Sequence, residues 1–314
     1  MKDKTVLITG GTGSFGSALV RRLLDTDVEA IRVFSRDEEK QRKLRAELDD
    51  DRVRFLLGDV RDRDRLTLAT RDVDVIVHAA ALKQIPACEA DPFECVLTNI
   101  IGAENVVAAA IANGVPKTIS LSTDKAAHPA TLYGSCKLVA ERVFSQANVY
   151  DATARFASTR WGNVIDSTGS VIPLFRKQAE QGELTITDEA STRFWMSLDD
   201  AVGFVLMALE RMQGGEVFIP RMEAKPVVDV AEEVAPGVPH RIIGLRAGEK
   251  IHEILVTEDE ARHTRAFPDY FAIYPILPSW DADYPQGEEL PPGFTYSSHQ
   301  PKGLDATRDP VRPP

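Results

Sequence analysis

The fold is decided near the amino terminus by Thr9-Gly10-Gly11-Thr12-Gly13-Ser14-Phe15-Gly16, which directly follows the apolar run Thr5-Val6-Leu7-Ile8. The apolar run predicts a buried strand, and a helical pattern follows the glycines. In such a turn the first glycine permits a tight bend, the second lets backbone N–H groups approach a pyrophosphate, and the third lets the helix pack closely on the strand. The N-terminus of the helix adds partial positive charge for an anion. The stretch therefore predicts a dinucleotide-binding turn, formed by Gly10, Thr12, Gly13, Ser14, Phe15 and Gly16.

Short apolar strands and helical patterns alternate through the first half of the chain. Further strand-like runs lie at 31–34, 53–57, 73–77 and 118–121. Continuous apolar strands that alternate with helices predict an α/β fold with a Rossmann-type, doubly wound parallel sheet. We assign residues 1–165 and about 197–222 to this domain, and about 166–196 and 223–314 to a smaller α/β substrate domain. Its last segment, 275–314, is rich in Pro, Gly and Asp, and we expect it to wrap the fold or to be partly disordered.

Composition limits the classes of partner. The 314 residues include 37 Lys and Arg and 48 Asp and Glu, a net charge of −11, which argues against nucleic acid or an anionic membrane as the main partner. We find no uninterrupted apolar run of membrane-spanning length and no signal-peptide core, and so expect a cytoplasmic protein. Three cysteines without a Cys-x-x-Cys spacing predict reduced structural thiols, and we predict no metal site.

The end of the second strand, Phe34-Ser35-Arg36-Asp37, bears on the choice of dinucleotide. An acidic residue at this place would bind the ribose 2′-hydroxyl of NAD. Arg36, with Ser35 and Lys40 beside it, instead suits a 2′-phosphate, and so the sequence favours NADP over NAD. The alternative is that Arg36 stacks on adenine or faces solvent while Asp37 takes the ribose.

Other cofactor-binding candidates follow the third and fourth strands. Asp59 and Val60 could read the adenine edge, and small residues after His78 allow a cofactor to lie close. We expect His78 to be a packed strand-end residue and Asn99 to be a buried polar anchor. The full set of these candidates is Asp59, Val60, Ala79, Ala80, Ala81, Lys83 and Asn99.

Tyr133 and Lys137 form a Tyr-x-x-x-Lys pair. Their spacing puts both side chains on one face of a helix. Tyrosine alone, with a pKa of about 10, is a poor base at neutral pH. A nearby ammonium and an oxidised nicotinamide both favour the phenolate. We therefore predict that this pair removes the proton of a substrate alcohol as hydride leaves the carbon.

An acid and a base stand in the stretch Ser122-Thr123-Asp124-Lys125, just after the strand at 118–121. Strand ends at this edge of a doubly wound sheet face the ligand crevice. Hydride transfer alone needs neither group. Elimination of water needs a base for the proton α to a new ketone and an acid for the departing hydroxyl. The stretch therefore favours elimination over simple oxidation.

Together these motifs resemble the extended short-chain dehydrogenase/reductases, and among them the inverting UDP-N-acetylglucosamine 4,6-dehydratases of bacterial pseudaminic acid biosynthesis. The resemblance covers nearly the whole chain. Retaining dehydratases carry Asp-Glu in place of Asp124-Lys125, and membrane-anchored and capsule-type relatives carry Met in place of Tyr133. The matching stretches are TGGTGSFG from Thr9, FSRDEEKQ from Phe34, HAAALKQIPACEADPFECVLTNIIGAENV from His78, STDKAAHPATLYGSCKL from Ser122, RWGNV from Arg160, GSVIPLF from Gly169, TRFW from Thr192, GLRAGEKIHE from Gly244 and FTYSSH from Phe294.

The resemblance implies an NADP-dependent lyase that regenerates its cofactor in each turnover. Tyr133 would take the C4 hydroxyl proton, with Lys137 on the nicotinamide ribose and Thr123 hydrogen-bonded near C4. Lys125 would remove the C5 proton and Asp124 would protonate the leaving C6 hydroxyl, before hydride returns to C6 and C5 is reprotonated on the opposite face. A base must be neutral, so Lys125 needs a pKa well below its usual value of about 10.4, which we expect from crowding by Lys137 and the nicotinamide charge.

The resemblance also implies a homo-oligomer and places the nucleotide half of UDP-N-acetylglucosamine in the smaller domain. Asn163 and the backbone at Ser170 and Val171 would cradle uridine and diphosphate. Two arginines would contact diphosphate and ribose, with a glutamate near the ribose, although each arginine could instead form a surface ion pair. The substrate-binding candidates are Lys83, Thr123, Asn163, Ser170, Val171, Arg193, Arg246 and Glu249.

Five positions depart from the pattern of these dehydratases, among them Ser191 in place of Met and Ala247 in place of Pro. His128 replaces Asn and either borders the site or is an exposed loop residue, while Asp166 and Thr168 replace Gly and Arg near the nucleotide cradle. These leave the sugar and the C5 outcome open. The alternatives are a UDP-sugar 4-epimerase, a dehydratase of another nucleotide sugar, and a non-enzymatic NADP-binding protein. Asp124-Lys125 argues against the epimerase, and the intact acid, base and Tyr133 argue against the last.

Overall fold

A computed structural model describes residues 1–299 apart from 166, 168, 169, 277 and 279. Asp166 and Thr168 therefore lie outside the described residues. The strands are β1 (Thr5–Thr9), β2 (Ala30–Ser35), β3 (Val53–Leu57), β4 (Val75–His78), β5 (Lys117–Leu121), β6 (Arg155–Thr159), β7 (Asn163–Val164), β8 (Leu184–Ile186), β9 (Thr192–Met196), β10 (Val217–Pro220), β11 (Glu223–Pro226), β12 (His240–Ile242), β13 (Ile254–Val256), β14 (Thr264–Ala266), β15 (Tyr270–Ile273), β16 (Glu288–Glu289) and β17 (Tyr296–Ser297).

Helices connect these strands. They are α1 (Ser14–Leu24), α2 (Glu38–Leu48), α3 (Arg63–Ala69), α4 (Ile85–Ala90), α5 (Pro92–Val96), α6 (Gly102–Ala112), α7 (Leu132–Ala147), α8 (Val171–Ala179), α9 (Leu198–Arg211), α10 (Val227–Val234) and α11 (Glu258–Ala261). A π-helical turn, Leu97–Ile101, joins α5 to α6, and a 3₁₀ turn, Asp124–Ala126, follows β5.

The predicted doubly wound sheet is confirmed. Ten strands lie in the order β16-β14-β15-β10-β6-β5-β4-β1-β2-β3, and those from β10 to β3 are parallel. The strand order reverses between β1 and β4, which is where such sheets bind ligands beyond their carboxyl ends. Every residue of β1 is buried, as expected for a strand with helices on both faces.

Two apolar layers cover the two faces of this sheet. One contains Leu19 and Leu23 of α1 with Val202 and Val205 of α9. The other contains residues of α3, α6 and α7, including Phe144. The fold therefore holds the strand ends, and the loops that follow them, on a rigid central layer.

The smaller sheets differ from the predicted domain boundaries. A three-stranded sheet has the order β11-β9-β7, and the pairs β12-β8 and β13-β17 lie apart from it. Strand β7 falls within 1–165 yet pairs with β9. Strands β14 to β16 fall within 223–314 yet extend the main sheet beyond β10, because antiparallel pairing needs no crossover helix. The chain thus passes between the main sheet and the smaller sheets more often than the predicted domain boundaries implied.

Among the described residues, one helical stretch could cross a membrane by length and composition. Pro92–Ala112 has 21 residues and a mean hydropathy of 1.7, although polar residues interrupt its apolar runs, and 56% of its most apolar window is buried inside the fold. Asp91 accepts a hydrogen bond from the backbone of Glu94, and Pro92 stands in the first turn, where its missing N–H costs nothing. Burial of this kind is typical of a core helix in a globular domain.

The described part of the carboxyl-terminal segment wraps the fold, which is one of the two predicted outcomes. The ring of Trp280 lies against Gly215, and the Tyr284 hydroxyl donates to the carbonyl of Gly214 at 2.5 Å. Strand β17 pairs with β13. These contacts tie the segment to the end of the main sheet and to the region near residue 253.

Candidate functional site

The glycine-rich turn has the geometry that a dinucleotide requires. Gly10 has a φ of 66°, and a Cβ there would lie 2.8 Å from the amide nitrogen of Ala80. A Cβ on Gly16 would lie 2.5 Å from the carbonyl oxygen of Gly10. Gly13 caps α1 without any side-chain hydrogen bond, so the helix N-terminus carries no capping side chain. The turn fits a pyrophosphate held by backbone amides near Thr12, Ser14 and Phe15.

At the end of β2, the Arg36 side chain is exposed, whereas the Asp37 carboxylate is already hydrogen-bonded within the protein. Asp37 accepts the backbone N–H of Lys40 at 2.9 Å and caps α2, and this bond holds the pKa of its carboxyl below the usual range. The Lys40 ammonium lies 3.3 Å from the same carboxylate. Arg36 is half exposed, with Nη1 3.5 Å from Asp59. Ser35 is buried, and its hydroxyl accepts from Gln41 at 3.1 Å.

The turn after β3 is held by ion pairs and packing. Burial raises the pKa of Asp59, but hydrogen bonds from Arg61 outweigh it and hold the pKa below the usual value. Val60 is buried, and its carbonyl accepts from Asn105 at 3.0 Å. The Val60 side chain lies so close to Gly102 that a Cβ there would clash. Asp59 thus stands beside Arg36, while Val60 offers only its backbone to a ligand.

The loop after β4 lies against the glycine-rich turn. Ala79 and Ala80 contact Gly10, followed by Ala81 and an exposed Lys83. Asn99 is buried and binds both the N–H and the carbonyl of Leu82, each at 2.8 Å. The structure therefore places Asn99 as the anchor of this loop, and its contact with a cofactor stays a prediction.

His78 is a packed residue, as the sequence analysis expected. Its Nδ1 lies 2.7 Å from the Thr9 hydroxyl, and its ring stacks on Phe144. Burial, with the nearby Lys137 charge, lowers the pKa of His78 to about 3. The ring is therefore neutral and structural.

Helix α7 carries Tyr133 and Lys137 on one buried face. Burial raises the pKa of Tyr133 to about 12, although Lys125 and a hydrogen bond with Thr123 act in the opposite direction. Burial lowers the pKa of Lys137 to about 8, against the charge of Glu141. The ammonium that favours the Tyr133 phenolate is thus that of Lys125, where the sequence analysis expected Lys137. Burial outweighs it among the protein's own groups.

Asp124 and Lys125 form a tight ion pair in the 3₁₀ turn, in which Asp124 is fully buried and Lys125 is partly exposed. Lys125 Nζ lies 2.9 Å from Asp124 Oδ1, which also accepts the Thr123 hydroxyl at 2.8 Å. The expected lowering of the Lys125 pKa is wrong in this structure. Burial does lower it, but Asp124 and Glu253 together raise the pKa above its usual value. Two carboxylates on one ammonium outweigh both burial and any crowding by Lys137.

Sequence reasoning missed the residues that close the site from the carboxyl-terminal side. Glu253 Oε1 lies 3.4 Å from Lys125 Nζ, and Lys250 Nζ donates to the carbonyl of Ala127 at 2.6 Å. A Cβ on Gly248 would overlap Thr131, the cap of α7. All three belong to the quoted stretch GLRAGEKIHE. No local pattern could show that this stretch packs on a turn more than 100 residues earlier.

The predicted nucleotide cradle begins at β7 and α8. Asn163 opens β7, and Ser170 caps α8 just before Val171. The hydroxyl of Ser170 is buried and lacks a hydrogen-bond partner among the described residues. An unpartnered donor at a helix N-terminus suits an anion or a ribose oxygen.

The two predicted arginines differ in their surroundings. Arg193 is buried, lies 2.9 Å from Glu249 and also donates to the carbonyls of Thr192 and Ile251. Arg246 is exposed, and its backbone N–H donates to Glu249 at 3.2 Å. Arg193 and Glu249 are therefore brought together as a buried ion pair, where the alternative expectation was a surface pair. The contacts of all three with a nucleotide stay predictions.

His128 is an exposed loop residue, one of the two readings from the sequence. Its φ is 45°, in the left-handed region. Asn and His tolerate this region better than most residues do. The exchange of Asn for His at this position is therefore accounted for by the backbone alone.

Three free, buried thiols lie behind Tyr133, as predicted for reduced cysteines. Cys88, Cys95 and Cys136 pack in one apolar cluster with the tyrosine. Burial raises the pKa of Cys88 and of Cys136 to about 12, so both are inert thiols. Within the described part of the chain, no group of three or more His, Cys, Asp or Glu side chains could hold a metal ion.

Known proteins are similar to this chain in sequence and in fold. The chain is 46% identical over 308 residues to a Campylobacter jejuni protein named UDP-N-acetylglucosamine 4,6-dehydratase (inverting), which covers 94% of this chain and 92% of the relative. It is 45% identical over 284 residues to a Rickettsia bellii protein named UDP-glucose 4-epimerase, covering 86% of this chain and 83% of that one. Sequence similarity alone therefore does not distinguish between the two activities for which these relatives are named.

A solved structure matches over nearly the whole chain. The X-ray structure of Pen from Bacillus thuringiensis has a TM-score of 0.87 and 38% identity, and the match covers 95% of this chain and 93% of that one. DesIV from Streptomyces venezuelae, a dTDP-glucose 4,6-dehydratase solved with NAD bound, matches with a TM-score of 0.71 and 25% identity over 79% of this chain and 86% of its own. Residues 6–275 match the family described as polysaccharide biosynthesis protein, and the chain belongs to this family.

Proposed function

We propose that this protein is an NADP-dependent lyase that dehydrates UDP-N-acetylglucosamine across C5 and C6 and inverts C5. The product would be UDP-2-acetamido-2,6-dideoxy-L-arabino-hex-4-ulose. The observation that carries the proposal is the ion pair of the buried Asp124 with the partly exposed Lys125, 2.9 Å apart, in the turn beside Tyr133. The dehydratase from C. jejuni supports the same reaction by its similarity over nearly the whole chain.

The first step falls to Tyr133, which takes the proton of the C4 hydroxyl. When bound, the nicotinamide supplies the hydride acceptor at C4 and the hydride donor at C6. Thr123 lies next to the acid and in contact with Tyr133, so its hydroxyl can orient the oxygen at C4. Lys137, buried one helical turn after Tyr133, is placed to hold the nicotinamide ribose.

Elimination needs a neutral base and a protonated acid at once. In the resting ion pair the proton lies on Lys125, which is an ammonium beside the Asp124 carboxylate. Transfer of this one proton across 2.9 Å gives a neutral amine and a carboxylic acid. The amine then takes the C5 proton, the C5–H electron pair forms the C5–C6 double bond, and the C6 oxygen leaves with the C–O pair and the Asp124 proton as water. The pair thus supplies both groups without an outside proton.

The choice of NADP rests on the end of β2. The carboxylate that would bind a 2′-hydroxyl, Asp37, is occupied as the cap of α2. Arg36 stands half exposed beside Asp59 and is free to turn toward a 2′-phosphate. Lys40 faces Asp37 and lies close enough to add a second positive charge.

A UDP half of the substrate suits the far side of the site. The Arg193 guanidinium pairs with Glu249, the exposed Arg246 donates its backbone N–H to the same carboxylate, and Ser170 opens α8 with its buried hydroxyl. A diphosphate needs such positive groups in a protein of net charge −11. Lys83 would contact the sugar or a phosphate from the cofactor side.

The second candidate is a UDP-sugar 4-epimerase, favoured by the similarity to the R. bellii protein. An epimerase needs Tyr133 but has no use for an acid–base pair beside it. A dehydratase of another nucleotide sugar would use every group described above and differ only in the sugar pocket.

We also propose a cytoplasmic homo-oligomer. Exposed apolar side chains gather on the helices that follow β4 and β5: Phe93 is 80% exposed, Val139 41% and Ile101 41%. A second copy that covered them would remove this apolar area from water. Light scattering on the purified protein should then give a multiple of the 34.6 kDa chain mass.

Proton NMR with NADP and UDP-N-acetylglucosamine in deuterated water tests the reaction. We expect a new C6 methyl signal, deuterium at C5 and L-arabino couplings. A methyl signal with the original C5 configuration would retain dehydration and refute inversion. A C4 epimer without a methyl would establish the epimerase, and no conversion of any nucleotide sugar despite tight cofactor binding would indicate a non-enzymatic protein.

A further inference from the structure

Glu253 lies in the catalytic site although it is distant from it in sequence. It stands just before β13, and it is 3% exposed. Its backbone N–H donates to the Ser298 hydroxyl at 2.9 Å, and its carbonyl accepts the Ser298 N–H at 2.8 Å. The Ser298 hydroxyl lies in turn 2.7 Å from that of Thr192 in β9. The glutamate is thereby fixed from both sides, so its carboxylate approaches the 3₁₀ turn from a rigid support.

Lys125 is held between two buried carboxylates. Its Nζ lies 2.9 Å from Asp124 Oδ1 and 3.4 Å from Glu253 Oε1. Two further cations face Glu253, Arg193 at 3.9 Å from Oε1 and Lys250 at 3.9 Å from Oε2. Among the described residues, Tyr133 is a further ionisable group beside Lys125. The cluster therefore places one ammonium where two carboxylates compete for its proton.

Within the described part of the chain, each carboxylate has one oxygen without a hydrogen bond, although the Lys250 ammonium lies 3.9 Å from that of Glu253. Asp124 Oδ2 and Glu253 Oε2 are buried and have no hydrogen-bond partner among the described residues. A buried oxygen without a hydrogen bond is costly, so each such group requires an explanation, and a role in catalysis or the binding of a water is one. Burial and the charge of Asp124 raise the pKa of Glu253, against the pull of Lys125, Arg193 and Lys250. The carboxylate pair thus has a high affinity for a proton.

We propose that Glu253 is a positioning residue of the dehydration, which acts through Lys125 and keeps on the Asp124–Lys125 pair the proton that Asp124 delivers to the leaving hydroxyl. This inference rests on the proposed function. Without the second carboxylate, the pair would lose its proton to solvent at lower pH. Glu253 should change the free energy of proton transfer from Lys125 to Asp124 very little. The transfer removes the attraction between Glu253 and the ammonium, but it also removes the repulsion between the two carboxylates.

The test compares pH profiles of water loss in the wild type, Glu253→Gln and Glu253→Asp. In Glu253→Gln we expect the alkaline limb to begin at least one pH unit lower than in the wild type, since a charge at this distance shifts a pKa by roughly 1–3 units. Hydride transfer from C4, followed by cofactor absorbance, should change less than threefold. Glu253→Asp should restore most of the limb. The matched control is Glu258→Gln, an exposed glutamate in α11 that should match the wild type.

A second variant keeps the test decisive if Glu253→Gln does not fold, as judged by cofactor binding. Lys250→Met removes a cation from the same cluster, so its alkaline limb should move to higher pH. An unshifted limb in Glu253→Gln, or a rate that falls equally at every pH, would overturn the proposal. So would a Lys250→Met limb that stays in place or moves down. Absence of water loss in the wild type would instead refute the dehydratase function, so the two failures are distinguishable.

Discussion

A Cβ on Gly134 would overlap the carbonyl oxygen of Lys125. Gly134 directly follows Tyr133 in α7, and Lys125 lies in the 3₁₀ turn after β5. The helix with the tyrosine can therefore approach the turn with the acid and the base only because this position lacks a side chain. Tyr133 can therefore lie next to Asp124 and Lys125 because residue 134 is a glycine, with a hydrogen atom in place of a side chain.

Replacement of Gly134 by Ala should therefore separate the two steps. The turn must move away from α7, and we expect water loss to fall by roughly 100-fold, the scale of a misplacement of about 1 Å. Initial-rate NMR of the methyl product measures this. Gly203→Ala is the control, because nothing lies within 4 Å of a Cβ there. It should keep full activity and raise the unfolding free energy of α9 by up to about 1 kcal/mol. Equal activities in the two variants would contradict the steric explanation.

The acid and the base should also be separable. In Asp124→Asn the amide cannot accept the Lys125 proton, so Lys125 becomes a neutral base only by losing that proton to solvent, and no acid remains for the hydroxyl. We therefore expect cofactor reduction, C5 deuterium exchange that increases with pH, and no water loss. In Lys125→Met we expect cofactor reduction without either. Absorbance of the reduced cofactor and NMR of recovered substrate distinguish the cases. Water loss by Asp124→Asn at more than about a hundredth of the wild-type rate would show that another group is the acid.

The central layer of the fold could be predicted from the sequence because its signals are local. The apolar run before Gly10 and the glycines after it define a strand, a turn and a helix within 24 residues. Tyr133 and Lys137 are likewise related by helical spacing alone. Such features need no knowledge of distant chain segments.

The charge environment of the site could not be predicted in this way. Glu253 and Lys125 are 128 positions apart, yet they form an ion pair at 3.4 Å. From the sequence we expected Lys137 and the nicotinamide charge to lower the pKa of Lys125, whereas the folded chain supplies a second carboxylate that raises it. The placement of β14 to β16 on the main sheet is equally non-local, since edge pairing leaves no periodic signal.

Cofactor preference should depend on Arg36. Loss of a charge-assisted hydrogen bond to a 2′-phosphate costs about 1.5–3 kcal/mol, so Arg36→Ala should weaken NADP binding by roughly 10–100-fold and leave NAD binding nearly unchanged. Calorimetric titration with each dinucleotide measures both constants. Arg42→Ala is the control, because this exposed arginine in α2 pairs with Glu39. A parallel loss of NAD affinity would mean that Arg36 contacts the adenine or the ribose instead.

The stability of the catalytic helix should depend on one buried arginine. Arg160 is 1% exposed and makes paired hydrogen bonds to Glu141 of α7 and to Glu260 of α11. Arg160→Met would leave two carboxylates buried without a cation, at a cost of roughly 3–5 kcal/mol in unfolding free energy at pH 7. Urea denaturation measures this loss. Arg262→Met removes an exposed arginine from the same region and should change stability by less than about 0.5 kcal/mol.

The stability difference between Arg160→Met and the wild type should depend on pH. Burial raises the pKa of Glu260, but Arg160 outweighs it and holds the pKa below the usual 4.5. A carboxyl with a depressed folded pKa stabilises the protein above its unfolded pKa, and that contribution is lost as the pH falls through the folded value. In Arg160→Met the carboxyl pKa values rise instead, so protonation relieves the buried charges already near pH 5. The gap between variant and wild type should therefore narrow from pH 7 to about pH 5, whereas a constant gap would indicate that Arg160 stabilises by packing alone.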